Sequence, residues 1–78
     1  MAYYGVYLGV VSDNNDPHQS GRVQIRVPSL GSTVWALVAS PVGSITTGKV
    51  PSGATVVVAF ERGDPSHPVV LGRVQGLL

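Results

Sequence analysis

Cysteine, charge and long apolar runs are scarce or absent in this sequence. None of the 78 residues is a cysteine, which excludes disulfide bonds and thiolate metal sites, and two histidines are too few to predict a zinc site. No apolar run approaches the roughly 20 residues of a membrane-spanning helix. The N-terminus lacks the charged and then apolar plan of a signal peptide. We expect no metal, no cofactor and no membrane association.

Charged residues make up only 12% of the chain, against roughly 25% of an average soluble domain. The five basic and four acidic residues are scattered, so no basic stripe for nucleic acid is present. Hydrophobic residues make up 44%, with a mean hydropathy of +0.27. A domain of this size buries only about 60% of its unfolded surface. Because disulfides are excluded, we expect oligomerisation to supply the remaining burial.

Five stretches have the alternating pattern of β-strands: residues 3–11, 21–27, 33–39, 54–61 and 68–74. The second is the clearest, with Val23, Ile25 and Val27 pointing inward. Turn-forming residues recur every ten to fifteen residues or so. The chain is therefore predicted to be one domain, residues 1–78, with an all-β fold: a small five-stranded antiparallel barrel of the OB kind. An SH3-like barrel is the alternative from pattern alone.

The connections between these strands carry turn chemistry. Gly63, Asp64 and Pro65 predict the exposed turn of a closing β-hairpin, with Gly63 at positive φ. Residues 40–53 hold three glycines and two prolines without helical periodicity. We predict a loop there, closing one barrel end with Val42 and Ile45, in place of the helix that many OB barrels have between strands three and four.

Two polar clusters suggest chemistry but favour a structural interpretation. Asp13, Asp16 and His18 lie in a polar loop, and we interpret them as solvated turn formers rather than as a metal or acid–base site. Asp64, Ser66 and His67 bring together the residue types of a catalytic triad, but consecutive turn residues are expected to point apart. No nucleophile-elbow pattern surrounds any serine. We therefore predict that the protein is not an enzyme.

Several motifs occur in an order that resembles a known family. They are D-P-x-x-x-G-R-V-x-I-R-V-P at 16–28, V-W-A-x-V-A-S-P at 34–41, G-K-x-P-x-G at 48–53 and F-E-x-G-D-P-x-x-P-V-V-L-G at 60–72. Together they resemble the OB domain of spike and hub proteins of contractile phage tails, and of the related type VI secretion spike proteins. The resemblance implies a structural protein of the virion, located in the tail baseplate and made in the host cytoplasm. It also implies a homotrimer on the tail axis, with other hub, spike or baseplate proteins as partners.

Candidate contact residues follow from the strand alternation. Tyr3, Tyr7, Trp35 and Val57 are predicted to lie opposite the inward faces of their strands and to form the subunit interface. Packing within the barrel is the alternative for the two tyrosines, and a cap on the barrel is the alternative for Trp35.

Arg22 and Arg26 share an outer face, where they could contact a partner's carboxylates or a phosphate backbone. Solvated strand charges that discourage edge pairing are the alternative. A second function class is an OB module that binds single-stranded nucleic acid. The same two arginines would then supply the charge, and Tyr3, Tyr7 and Trp35 the stacking surfaces.

Overall fold

A computed structural model describes residues 2–18, 21–40, 42–43 and 50–75. The strands are β1 Tyr7–Asp13, β2 Val23–Val27, β3 Ser32–Val38, β4 Thr55–Phe60 and β5 Pro68–Arg73, and a 3-10 turn, η1 Glu61–Gly63, separates the last two. All five predicted strands are confirmed. The first begins at Tyr7 rather than Tyr3 because Gly5 has φ +94°, outside the extended region.

The five strands close into a barrel in the order β1-β2-β3-β5-β4, with β4 returning to β1. Four of the neighbouring pairs are antiparallel, but β3 and β5 run parallel, with Leu37 opposite Val69 and Val38 opposite Val70. The OB-type barrel is confirmed, and the expectation that every pair is antiparallel is wrong. The reason is parity: a closed ring with an odd number of strands cannot reverse direction at every step.

The barrel interior is filled by alternate residues of the strands. The buried residues are Val11, Val23, Ile25, Val27, Ala36, Val56, Val58, Phe60 and Val70. A Cβ atom on Gly9 would lie 3.2 Å from the carbonyl oxygen of Arg26 and 3.3 Å from a methyl carbon of Val27. Gly9 thus lets β1 and β2 approach closely, as expected of a glycine on a coiled strand.

The face of β1 that carries Gly9 and Val11 points inward, and Tyr7 lies on that face. The Tyr7 ring packs 5.3 Å from the Phe60 ring, and the Tyr3 ring lies 5.8 Å from Phe60 and 5.9 Å from Tyr7, measured between centroids. The prediction that Tyr3 and Tyr7 lie opposite the inward face is therefore wrong. Both faces of β1 are apolar, so alternation alone did not distinguish them; the close approach at Gly9 decides which one faces inward.

The segment between β3 and β4 is described only in part. Val42 is fully exposed, so the prediction that it closes a barrel end is wrong, whereas Val50 packs against the core. Ile45 and the rest of 44–49 lie outside the described residues, as does the predicted absence of a helix across them. Within the described part of the chain, η1 is the only helical turn.

Candidate functional site

A buried carboxylate organises the loop between β1 and β2. The side chain of Asp16 is 3% exposed and forms an ion pair with Arg22, whose Nη2 donates over 2.9 Å and whose Nε donates over 3.0 Å. The backbone N–H groups of His18 and Arg22 also donate to it, over 2.9 and 3.2 Å. The interpretation of Asp16 as a solvated turn former is wrong. Asp16 and Arg22 both belong to the D-P-x-x-x-G-R-V motif, and this motif is the feature of the sequence from which the ion pair could have been predicted.

The same ion pair positions Trp35. The Arg22 guanidinium carbon lies 5.4 Å from the centroid of the Trp35 ring, a cation–π distance. The hydrogen bonds to Asp16 raise the pKa of Arg22 above its already high ordinary value, so the guanidinium stays charged. The positive charge of Arg22 is therefore paired with Asp16 of the same chain, which weakens the assignment of Arg22 as a contact to a partner. Arg26, in contrast, is exposed.

An open groove of about 320 Å³ lies beside Trp35, on the outer side of the barrel. We call it the Trp35 groove; its lining residues are Arg22, Trp35, Leu37, Glu61, Ser66, His67, Pro68 and Val69. The lining residues come from the outward face of β3, from Arg22 next to β2, and from η1, the turn after it and the start of β5, which pairs with β3 at Leu37 and Val69. The groove thus joins an aromatic and aliphatic wall to a polar turn.

The predicted turn residues lie between β4 and β5. Gly63 has φ +76°, as expected, and its carbonyl accepts the Tyr3 N–H over 2.8 Å. Asp64 N–H donates to the Glu61 carbonyl over 2.9 Å, which closes the 3-10 turn. Arg62 also has positive φ, +55°, a conformation uncommon outside glycine. The β4 and β5 strands pair on either side of this turn, so the closing hairpin is confirmed. Its turn is not exposed throughout as predicted, because Gly63 is buried and only Asp64 of the three predicted turn residues is exposed.

The side chains of Asp64, Ser66 and His67 converge, contrary to the expectation that they point apart. The Ser66 hydroxyl donates to Oδ1 of Asp64 over 2.7 Å, and Nδ1 of His67 lies 2.8 Å from Oδ2. This is not a triad geometry, because serine and histidine are bound by the same carboxylate. The histidine nitrogen nearest to Ser66 Oγ, at 3.2 Å, is the one that Asp64 engages. The arrangement fits a network that holds the turn.

This network lowers the pKa of Asp64 to about 2, mainly through the hydrogen bonds from the Ser66 hydroxyl and N–H and then through His67. A carboxyl with a depressed pKa stabilises the fold above its unfolded pKa of about 3.9 and loses that contribution as the pH falls towards its folded pKa. We therefore expect Asp64→Asn to flatten the decline of melting temperature between about pH 4 and pH 2. Asp13→Asn, which removes another carboxylate with a hydrogen bond to a nearby backbone N–H, is the control. Identical pH profiles for wild type and Asp64→Asn would contradict this role.

A second exposed surface lies on β1 and its neighbours. Val6, Leu8 and Val10 are 63%, 48% and 41% exposed. Leu8 of β1 pairs with Val57 of β4. On the other side of β4, Val57 pairs with Gly72 of β5, and the residue before Gly72, Leu71, is exposed. We call Val6, Leu8, Val10, Val57 and Leu71 the outer apolar face. Val57 is half-buried, and it is the predicted contact residue that lies among these exposed aliphatic side chains.

Comparison with protein families matches residues 7–74 to the type VI secretion system/phage-baseplate injector OB domain. The chain belongs to this family. A comparison with curated proteins finds no match. The matched range includes all five strands of the injector OB domain, the Asp16–Arg22 pair and the Asp64 turn. As a member of this family, the protein is a structural component associated with a phage tail or a tail-like injection apparatus.

The described residues of this injector OB domain contain neither a cluster of metal ligands nor a membrane-spanning helix. No group of three or more histidine, aspartate or glutamate side chains among them could hold a metal ion. Nor does the described part of the chain contain a helix long and apolar enough to cross a membrane.

Proposed function

We propose that this injector OB domain is a baseplate, hub or spike component of a phage tail or tail-like injection machine. It assembles as a homotrimer on the tail axis and joins neighbouring hub and spike proteins. In this proposal it is made in the host cytoplasm, incorporated into the virion and has no enzymatic activity. The observation that carries the assembly is the outer apolar face, which leaves aliphatic side chains of three neighbouring strands in solvent.

The outer apolar face has the properties of an incomplete core. Its β1 residues project opposite the buried Gly9 and Val11, so the strand is apolar on both sides. A strand of that kind is typical of positions covered on both faces. Large contiguous apolar patches on small soluble domains mark interaction surfaces. A second and third copy of the chain are the occupants we propose, because the whole chain has few charges and a small core.

Of the interface residues predicted from the sequence, the proposed interface retains Val57. It includes Val6, Leu8 and Val10 instead of Tyr3 and Tyr7. Tyr3 and Tyr7 support the barrel from inside, where they pack against Phe60. Trp35 lies on an outward face, half-buried beneath Arg22, and we assign it to the groove rather than to the subunit contact. Arg26 remains a candidate contact to a partner protein, because its charge is exposed.

The same geometry argues against the alternative function, binding of single-stranded nucleic acid. A single-stranded nucleic acid needs basic side chains along the backbone and aromatic faces for base stacking. Arg22 is paired with Asp16, and Tyr3 and Tyr7 pack on Phe60. We expect no salt-sensitive oligonucleotide binding in a gel-shift assay at low salt, and tight binding would contradict the structural role.

A single charge should prevent assembly if the outer apolar face forms the subunit contact. We expect Leu8→Glu to dissociate the trimer into folded monomers, because an unpaired carboxylate is costly to bury in an apolar contact. Thr33→Glu adds the same charge at an exposed position of β3 outside this face and should leave the trimer intact. Sedimentation velocity measures the mass of both variants, alone and in complex with the neighbouring hub protein, and circular dichroism checks their folding. A folded Leu8→Glu trimer would exclude this face as the interface.

A further inference from the structure

We propose that the Trp35 groove binds an extended segment of a neighbouring tail protein, with a lysine or arginine of that segment held by Glu61 between apolar neighbours. The proposal rests on the structural role proposed above and names the chemistry of one partner contact. The groove is separate from the outer apolar face, since its walls come from β3, η1 and the start of β5.

The charge of the groove favours a basic ligand. Arg22 is neutralised by Asp16, at 2.9 Å, so its guanidinium does not repel a cation as an isolated charge would. Glu61 is exposed, and its carboxylate has no ion-pair or hydrogen-bond partner among the described residues. Glu61 is therefore the one lining residue that offers an uncompensated charge, and that charge is negative.

The remaining walls match the stem of a long basic side chain and its apolar neighbours. Leu37 is 58% exposed at the groove, and the ring of Trp35 lies beside it on the same face of β3. Pro68 and Val69 extend this apolar lining along β5, where Val69 pairs with Leu37. Lysine and arginine bury their aliphatic stems against such surfaces while the charged group reaches a polar partner.

An open strand edge beside the groove provides backbone hydrogen-bonding groups for an extended chain. β3 pairs with β2 from Ser32 to Ala36, but it pairs with β5 only at Leu37 and Val38. Along the first part of β3, the backbone groups that point away from β2 have no strand partner among the described residues. An extended segment can add to such an edge, while pockets beside it select the side chains.

The groove is already formed without a ligand. The Asp16–Arg22 ion pair holds the guanidinium on Trp35, and the Asp64 network fixes the turn that carries Ser66 and His67. Binding therefore requires little ordering of the groove side chains, which lowers its entropic cost.

The test uses the fluorescence of Trp35, the only tryptophan in the chain. The probes are the peptide acetyl-SVKVSV-amide and its counterpart acetyl-SVEVSV-amide, titrated into the purified protein. We expect the lysine peptide to bind at least about tenfold more tightly than the glutamate peptide, and its binding to slow amide hydrogen exchange in 32–36. Glu61→Gln should reduce the preference to below about threefold. Asp13→Asn, which removes a carboxylate outside the groove, should leave it unchanged.

Three results would overturn the proposal: no fluorescence change with either peptide, equal affinity for both, or tighter binding of a dT12 oligonucleotide than of the lysine peptide. Mass measurement on the same samples separates this proposal from the proposed assembly. A trimer that binds neither peptide contradicts only the proposal that the Trp35 groove binds a basic segment. A monomer that binds the lysine peptide selectively supports the groove, while the number of copies in the complex with the neighbouring hub protein decides the trimer.

Discussion

Gly63→Val is expected to lower the melting temperature by about 10 °C or more, corresponding to a loss of at least ~2 kcal/mol in a domain of this size. Gly63 has φ +76°, a conformation that costs an ordinary residue roughly 1–2 kcal/mol and a β-branched residue more. A Cβ at this position would also lie 2.8 Å from Cε1 of Tyr4. Because Gly63 O accepts the Tyr3 N–H, the substitution disturbs both the hairpin and the N-terminal segment packed on it.

Two controls separate the contributions at Gly63. Gly53 has φ +88° but open space around its Cβ position, so Gly53→Val measures the backbone cost without the crowding. Pro65 mainly restricts the unfolded chain, and Pro65→Ala should cost less than ~1 kcal/mol. The shifts should rank Gly63→Val, then Gly53→Val, then Pro65→Ala in thermal unfolding followed by circular dichroism. Equal shifts for Gly63→Val and Pro65→Ala would contradict the turn assignment.

Asp16→Ala is the second substitution with a large expected effect, a loss of about 2–3 kcal/mol. It removes a buried acceptor from two backbone N–H groups and from the Arg22 guanidinium. Arg22 is then no longer held over Trp35, so the emission of that tryptophan should change even in the folded variant.

Asp13→Ala is the matched control for Asp16→Ala. Asp13 lies at the end of β1, three positions before Asp16, and its carboxylate accepts the N–H of Asn15. Urea unfolding at neutral pH should separate the two variants by more than 1 kcal/mol or so, since the Asp16 network includes a buried ion pair. Similar stabilities and unchanged Trp35 emission in both would show that Asp16 does not organise the loop.

The strands could be predicted from the sequence because alternation is a local property. Val23, Ile25 and Val27 alternate with polar residues, and this pattern defines both the strand and its inward face. The direction of β5 relative to β3 is not a local property. It follows from closing five strands into a ring, a consequence of the predicted barrel that the strand patterns alone do not reveal.

The face of β1 could not be predicted in the same way. Leu8 and Val10 are aliphatic, and so is Val11 on the other side, so hydrophobicity does not separate the two faces. The deciding contact is between Gly9 and the backbone of Arg26, two residues far apart in the sequence. The same error placed Tyr3 and Tyr7 on the outside, although they pack on Phe60.

The side-chain networks could not be predicted from the sequence, because they depend on backbone angles and interatomic distances that residue types do not specify. Asp64, Ser66 and His67 converge in a turn that contains two successive positive-φ residues, Arg62 and Gly63, and nothing about an arginine predicts that conformation. The burial of Asp16 depends on Arg22, six positions away across a loop. The spacing of Asp16 and Arg22 can be read from the sequence, but their contact cannot.

Light scattering on the purified protein, and then on its complex with the neighbouring hub protein of the proposed assembly, tests that assembly most directly. We expect three copies per particle, three times the 8.1 kDa of one chain, at least in the complex. A flat contact of modest area can depend on the partner for its stability, so the complex is the deciding sample. One copy in both samples would contradict the homotrimer, and six copies would indicate a peripheral position in the baseplate instead of one on the tail axis.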